Sequence, residues 1–448
     1  MLSAESFKTF SLRKMAEGPS ISRILAASIR AVEPGSAVER FVRRSGTILN
    51  VDGREYDLAH FHHVRLLGIG KASVAMSLRL AGILGAQLQA GLVITKHTSP
   101  IQDFPFTVLE GGHPIPDTRS LEAGRKTLEF VSSLGPEDLL FCLISGGSSA
   151  LVTAPLDGLP LEDLQVLTST LLASGARIEE VNSLRRRLDR LKGGGLVRLS
   201  NGATIASLIL SDVIGNSLEA IASGPTAPDP TSKRAVLALL DKYGLHTKIP
   251  ASVIAALEQS AETPKPGDLI FEKVQNIIVG SNKLAAYAAL AQAKMEGFHA
   301  HLLRLDLQGE ASQSAEDLVI FLRQVKNTGN PVSPPACIIV GGETTVTVQG
   351  NGRGGRNTEL ALAAVMNLAD LPGMGLVTLA TDGEDGPTDA AGAVVTGETF
   401  HRAAGLGLDP RDFLNRNDSY TFFAALDDLL KPGPTGTNVN DLVFMFVL

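Results

Sequence analysis

The chain has 448 residues, 45 of them glycine, with 44% hydrophobic and 19% charged residues and a formal net charge of −7. Such a composition excludes wholesale disorder and a small disulfide-built scaffold, and the length favours two domains over one. Apolar runs stay far below the roughly eighteen residues of a membrane-spanning helix and basic residues are dispersed, so the expected partner is a small molecule, not a membrane or a nucleic acid.

In chain order, residues 1–18 read as a short tail that lacks the apolar centre of a secretory signal. Ser20 is the expected cap of an amphipathic helix running to Val32, with Ile21, Ile24, Leu25 and Ile29 on one face. Strands over 64–69, 91–95 and 139–144 then alternate with helices from about Ala72 and near 119–133, the pattern of a parallel sheet covered on both faces. Helices near 161–173 and 178–191 follow, and Arg190, Lys192 and the next three glycines read as a basic helix end and its stop. A strand over 204–210 leads into a proline-containing loop, and 262–268, with two prolines and a glycine, is the best linker in the chain. A second alternation begins there: the strand NIIVG, a helix from Asn282, the strand HAHLLRL, a helix from Glu310, and two strands around a Gly-Gly-Glu turn in 334–348. It continues with a helix from Asn357, a strand over 375–381 and the closing strand LVFMFVL. The expected organisation is a tail over 1–18, a first domain over 19–262 and a second over 263–448. Cys142 and Cys337 lie in apolar strand-like runs and read as buried thiols of a reducing, cytoplasmic compartment.

Chemistry concentrates in the turns after the strands. Gly68, Gly70, Lys71 and Ser73 form a glycine turn opening a helix, where backbone N–H groups and an ammonium suit phosphate. The dinucleotide fingerprint would need a third glycine or alanine at Ser73 and a carboxylate ending the next strand; Lys96 and His97 stand there instead. Ser145, Gly146, Gly147 and Ser148 make a second such turn, an anion nest and not the GxSxG of a serine nucleophile. Asp212 ends a third strand, equally suited to cap a loop, act as a base or bind a metal. Glu343 and the run 350–357, with Arg353, Gly354, Gly355, Arg356 and Asn357, offer a guanidinium clamp at a helix start. The run 381–389 carries four carboxylates, of which one or two would hold Mg²⁺ together with phosphates. A last turn, 433–441, precedes the closing strand.

In this order and spacing, GIGKAS, LISGGSSAL, SLILSDVIG, IASGPTAPDPTS, GGETTVTVQGNGRGGRNTELAL, TDGEDGPTDAAGA and GPTGTNVNDL closely resemble the type-2 glycerate kinases, whose C-terminal part is the MOFRL domain. The resemblance implies two α/β domains, the larger Rossmann-like with a mostly parallel sheet and the smaller of MOFRL type, with the active site in the cleft between them. It implies phosphorylation of D-glycerate by ATP at the 2-hydroxyl, with Mg²⁺. Lys71 and Arg356 match the family's active-site lysine and arginine, and Asp212 joins them as a catalytic candidate. Gly68, Gly70, Ser145, Gly146, Gly147, Ser148, Glu343, Arg353, Gly354, Gly355, Asn357 and Asn440 are the expected substrate or nucleotide contacts, and Asp382 and Asp385 the expected metal ligands. Two departures are SGGSS, where the family more often has SGGGS, and Gly215-Asn216, where Gly-Asp is usual. A hydroxypyruvate reductase using a nicotinamide cofactor is the alternative enzyme, and a non-catalytic sugar-acid or nucleotide sensor the alternative outside catalysis; a homodimer is one reading of the assembly.

Overall fold

The structure, a computed structural model, describes residues 2–97 and 106–448. The chain forms two compact units, Pro34–Val279 and a discontinuous one made of Met1–Glu33 with Gly280–Leu448.

The Pro34–Val279 unit opens with a small antiparallel sheet, β1 (Val42–Ser45), β2 (Ile48–Val51) and β3 (Arg54–Asp57), which the alternating charges of VRRS and REYD concealed from the sequence reading. Its main sheet comprises β4 (His63–Ile69), β5 (Leu88–Thr95), β6 (Thr107–Glu110), β7 (Asp138–Ile144), β8 (Thr204–Leu210) and β9 (Val274–Gly280), in the order β6-β5-β4-β7-β8-β9. The pairings from β6 through β8 are all parallel. Strand β7 is buried along its whole length, as its unbroken apolar run requires of a strand covered on both faces. The helix Thr118–Ser132 starts where Asp117 accepts hydrogen bonds from the Arg119 and Ser120 backbone N–H groups.

The second unit carries β10 (His299–Leu307), β11 (Ala336–Gly342), β12 (Met374–Ala380), β13 (Gly392–Thr396), β14 (Leu429–Leu430) and β15 (Asp441–Val447), in the order β10-β11-β15-β12-β13-β14. The closing strand β15 lies between β11 and β12, antiparallel to both. The helix Ala311–Thr328 packs against Arg356–Leu368, and Leu318, Leu322, Leu362 and Val365 join the core beside the sheet.

The domain boundaries differ from those expected. NIIVG does not open the second unit but completes the first sheet as the edge strand β9. The proline segment 262–268 is not a free linker: Asp229 N–H donates to the Pro264 carbonyl (2.9 Å), and Lys265 Nζ donates to Thr263 Oγ1 (2.8 Å). Nor are residues 1–18 a loose tail. Phe7 is fully buried, Ser11 donates through N and Oγ to Asp428 (both 2.8 Å), and the Arg402 guanidinium lies 4.0 Å from the Phe10 ring centre. The amphipathic helix spans Gly18–Arg30 with Ser20 inside it, because Pro19 already supplies the φ of a first helical turn. It packs on the helix Asn282–Met295, tied by Arg23 to Glu296 (Nε to Oε1, 2.7 Å). Residues 343–348 form no strand beyond a single bridge between Thr345 and Glu310. No described helix is long and apolar enough to cross a membrane.

Candidate active site

In the Pro34–Val279 unit the chain adds β5 and β6 on one side of β4, then returns to lay β7 on the other. Strand order reverses between β4 and β7, and ligands of parallel sheets bind beyond the carboxyl ends of the strands at such a point. The turns that follow these two strands are the two glycine turns singled out from the sequence. They interlock: Lys71 N–H donates to the Gly146 carbonyl (3.0 Å), Ala72 N–H to Ser145 Oγ (3.0 Å), and Ser145 N–H to the Ile69 carbonyl (3.0 Å). Gly70 has φ +128°, and a Cβ there would stand 2.2 Å from Ser145 Oγ, so a side chain would break the interlock. A Cβ on Gly146 would fall 2.3 Å from Asp212 Oδ2. Gly147, at φ +86°, faces His113 and the Lys71 stem. Ser148 Oγ is turned inward onto the Ile69 (2.8 Å) and Ser145 (2.5 Å) carbonyls, so it braces the turn. Gly68 lies lower, inside β4, where its missing Cβ makes room for Ser77. It packs a helix onto the sheet and does not face the turns.

The Lys71 side chain is exposed and makes no ion pair among the described residues. Asp212, just past β8, has its carboxyl pKa raised by burial, offset in part by its own backbone hydrogen bond and by the Lys71 charge. Two neighbours escaped the sequence reading. His113 is pushed down to about 4 by burial, with Lys71 and Lys96 adding to the effect, so it is a neutral imidazole at neutral pH. Lys192 is no helix stop: the helix ends at Arg187, and the buried ammonium pairs with buried Asp189 (3.0 Å), which also accepts from Thr153 Oγ1 (2.9 Å). The three-residue Asp189–Lys192 spacing was the available signal, obscured by the glycines that follow. Asn216, at φ +55°, occupies a short turn past Asp212.

In the second unit β11 and β12 both run antiparallel to β15, so Glu343 after β11, Asp382 after β12 and Asp441 opening β15 share one edge of the sheet. Arg356 begins the helix Arg356–Leu368 and is held among them. Its Nε and Nη2 form a fork on the Asp441 carboxylate (Nη2–Oδ1 3.1 Å), and Nη1 reaches Glu343 Oε1 (2.8 Å). Burial lowers its pKa, but the hydrogen bond and charge of Asp441, with Glu343 next, outweigh this and raise it. The expected clamp is therefore engaged by protein carboxylates, and Asp441, in the sequence merely the end of a turn, is its partner. Arg353 spreads its guanidinium 4.1 Å from the Tyr420 ring centre. Gly354 and Gly355 are small because a Cβ would strike Ser419 Oγ (2.1 Å) and Asp385 (2.5 Å). The Asn440 carbonyl accepts from Thr381 N and Oγ1 (3.2 and 2.6 Å), fixing the turn before Asp441.

The two expected metal ligands separate. Asp385 is fully committed: Oδ1 accepts from Asn357 N (2.9 Å), and Oδ2 from Thr358 N (2.8 Å) and Thr358 Oγ1 (2.7 Å). It caps the helix that Arg356 opens and does not fit a metal ligand. Among the described residues the Asp382 carboxylate accepts only a backbone bond, from Glu384 N–H (3.1 Å). Burial, and next among the raising effects the Asp441 charge, lift its pKa against the opposing Glu384 N–H bond and Arg356 charge. It fits a hard divalent ion that takes one protein carboxylate and completes its shell with water and phosphate. Among the described residues no three acidic, histidine or cysteine side chains form a complete protein cage for a metal.

Residues 20–258 match a family described as a domain of unknown function (DUF4147), and residues 336–441 match the MOFRL family. A D-glycerate 2-kinase of Thermotoga maritima is 39% identical over 99% of this chain and 100% of its own. The chain belongs to the type-2 glycerate kinase family. A crystal structure of glycerate kinase from Thermotoga maritima shares 38% sequence identity and a TM-score of 0.85, covering 95% of this chain and 98% of that one. A relative in Agrobacterium vitis, 39% identical over 84% of this chain and 85% of its own, bears a provisional hydroxypyruvate reductase name. The family places this protein among the phosphotransferases.

The split between the two aspartates is testable. Asp385→Ala should lower unfolding stability by about 2 kcal/mol, through loss of a cap and its buried bonds, in urea denaturation followed by circular dichroism. Asp382→Asn should leave that stability nearly unchanged and raise the Mg²⁺ concentration giving half-maximal rate.

Proposed function

We propose that this protein transfers the γ-phosphoryl group of ATP to the 2-hydroxyl of D-glycerate, giving 2-phospho-D-glycerate and ADP, with Mg²⁺ as cofactor. The observation that carries the reading is the Lys71 ammonium, without an ion-pair partner among the described residues, on a turn interlocked with an anion nest at the switch point of the sheet. Phosphoryl transfer asks for positioning and charge neutralisation more than for covalent help, and these groups are of that kind.

In the reaction the 2-hydroxyl oxygen bonds to the γ-phosphorus, and the bond from that phosphorus to the β,γ-bridging oxygen breaks. Asp212 takes the hydroxyl proton; burial raises its basicity toward that task. Lys71 faces the developing phosphate charge. Asp382 would hold Mg²⁺, which would supply charge neutralisation to the phosphates. Arg356 bridges Asp441 and Glu343 as a positive centre that screens the two carboxylates from each other. A substrate carboxylate held by a cation or nest brings the adjacent 2-hydroxyl into line ahead of the more distant 3-hydroxyl. Reduction of hydroxypyruvate with a nicotinamide is the weaker reading, because β5 ends in Thr95 and Lys96 with no carboxylate for the ribose. Cys142 and Cys337 are free and buried, which supports a cytoplasmic protein.

Purified protein given D-glycerate, ATP and Mg²⁺ should yield phosphoenolpyruvate with enolase alone. A requirement for added phosphoglycerate mutase would reverse the regiochemistry. Lys71→Ala should lower kcat about 100-fold or more with an unchanged Tm, since the side chain is exposed. The wild-type kcat should fall as pH drops through the Asp212 pKa, above the ordinary carboxylate value of about 3.9, and the residual rate of Asp212→Asn should lack that limb.

A further inference from the structure

A cavity of about 860 Å³ opens off the turn Ser145–Ser149 within the Pro34–Val279 unit, walled by the helices Leu161–Ala173 and Ile178–Arg187. It falls in the range of about 300–1,000 Å³ usual for small-molecule sites and far exceeds what a three-carbon acid fills. Its lining is of two kinds. Ser145, Gly146, Gly147 and Asp212 line one end, the end that lies against Lys71. Ile115, Val166, Leu172 and Ile178 also line it and stand 42–65% exposed, although aliphatic side chains of this size usually bury. Asn182 and Arg185 line it from one face of the second helix, one turn apart.

Arg185 separates this cavity from an ordinary surface recess. It is the first of three consecutive arginines, and the next two have carboxylate partners: Arg186 pairs with Asp229 (2.9 Å) and Arg187 with Glu262 (2.6 Å). Arg185 pairs with none among the described residues, and its hydrogen bond to Asn182 Oδ1 is a long 3.4 Å. Burial depresses its pKa with no anion opposing the shift. A guanidinium held in a cavity wall with donors unused is matched by a bound oxyanion.

Resting on the kinase reading above, we propose that this cavity is the nucleotide site: the ATP triphosphate runs from the Lys71 and Ser145–Ser148 turns past Arg185, and the adenine lies on the apolar mouth formed by Ile115, Val166, Leu172 and Ile178. Amphipathic polarity is the deciding match, since a nucleoside triphosphate is anionic at one end and flat and apolar at the other. Glycerate has no apolar end to offer that mouth. Arg185 is thereby a binding residue for the polyphosphate, and Leu172 and Ile178 set the preference for the base.

Isothermal titration of the full chain with the non-hydrolysable analogue AMP-PNP, alongside KM measurements for both substrates, tests this. Arg185→Gln should raise the Kd for AMP-PNP and the KM for ATP about tenfold or more, leaving the KM for D-glycerate within twofold. Leu172→Asp, at an exposed position that spares the fold, should do the same. Unchanged nucleotide affinity in both variants overturns the proposal, as does a rise in the glycerate KM with that for ATP unmoved. If the wild type makes no phosphoglycerate yet both variants weaken AMP-PNP binding, the glycerate kinase reading falls and the nucleotide site stands.

Discussion

Two turns from neighbouring strands touch so closely that neither has room for an ordinary side chain at the contact, and the chemistry of the Pro34–Val279 unit hangs on that approach. Gly70 lies against Ser145, and Gly146 against Asp212. The sheet brings them together because β4 and β7 are adjacent in space and far apart in sequence. The backbone bonds between the turns then fix where Lys71 leaves the chain. A lysine on an isolated loop would sample many positions; here its Cα is held from both sides, so only the flexible stem remains to be ordered on a phosphate. The glycines at this end of the sheet are thus steric conditions for placing a charge.

Much of this was legible in the sequence, and the divisions between legible and hidden follow the range of the forces involved. The strands of the parallel sheet read directly, because burial on both faces demands unbroken apolar runs such as LLFCLI. The turns after them read as anion sites from glycine spacing alone. The domain boundary did not, since 262–268 has the composition of a linker while Asp229 and Lys265 tie it down through contacts invisible in one dimension. The first helix, assigned by proximity to the following domain, packs instead on Asn282–Met295. Arg185 hid in a run of three arginines that looks uniformly solvated, and only the placement of Asp229 and Glu262 distinguishes it from its neighbours.

The acidic loop 381–389 shows how similar residues acquire different work. Asp385 spends its lone pairs on the first N–H groups of a helix, which stabilises that helix and holds Arg356 at its start. Asp382, three residues earlier, receives one backbone bond and keeps its capacity for a cation. Arg356 in turn is fixed by Asp441 and Glu343, so that the guanidinium is oriented before any ligand arrives. Composition counts four carboxylates in this loop; the hydrogen bonds bind Asp385 into the scaffold and leave Asp382 with one backbone bond among the described residues.

The placement of β15 bears on how the molecule comes to be folded. Seven residues near the end of the chain, Asp441–Val447, form a central strand of the second sheet, and the helix Gly18–Arg30 from the other end of the chain belongs to the same unit. The helix Gly18–Arg30 packs on the short helices Ala4–Phe7 and Phe10–Lys14 just before it and on Asn282–Met295 far along the chain, while Pro34–Val279 is continuous in sequence. Without β15, β11 and β12 have a gap between them and two apolar edges open. Such long-range closure makes for slow folding, and an exposed pair of edges is where strands from different chains join by mistake. The second sheet therefore depends at its centre on a strand distant in sequence from β11, whereas the parallel sheet of Pro34–Val279 is built from consecutive chain.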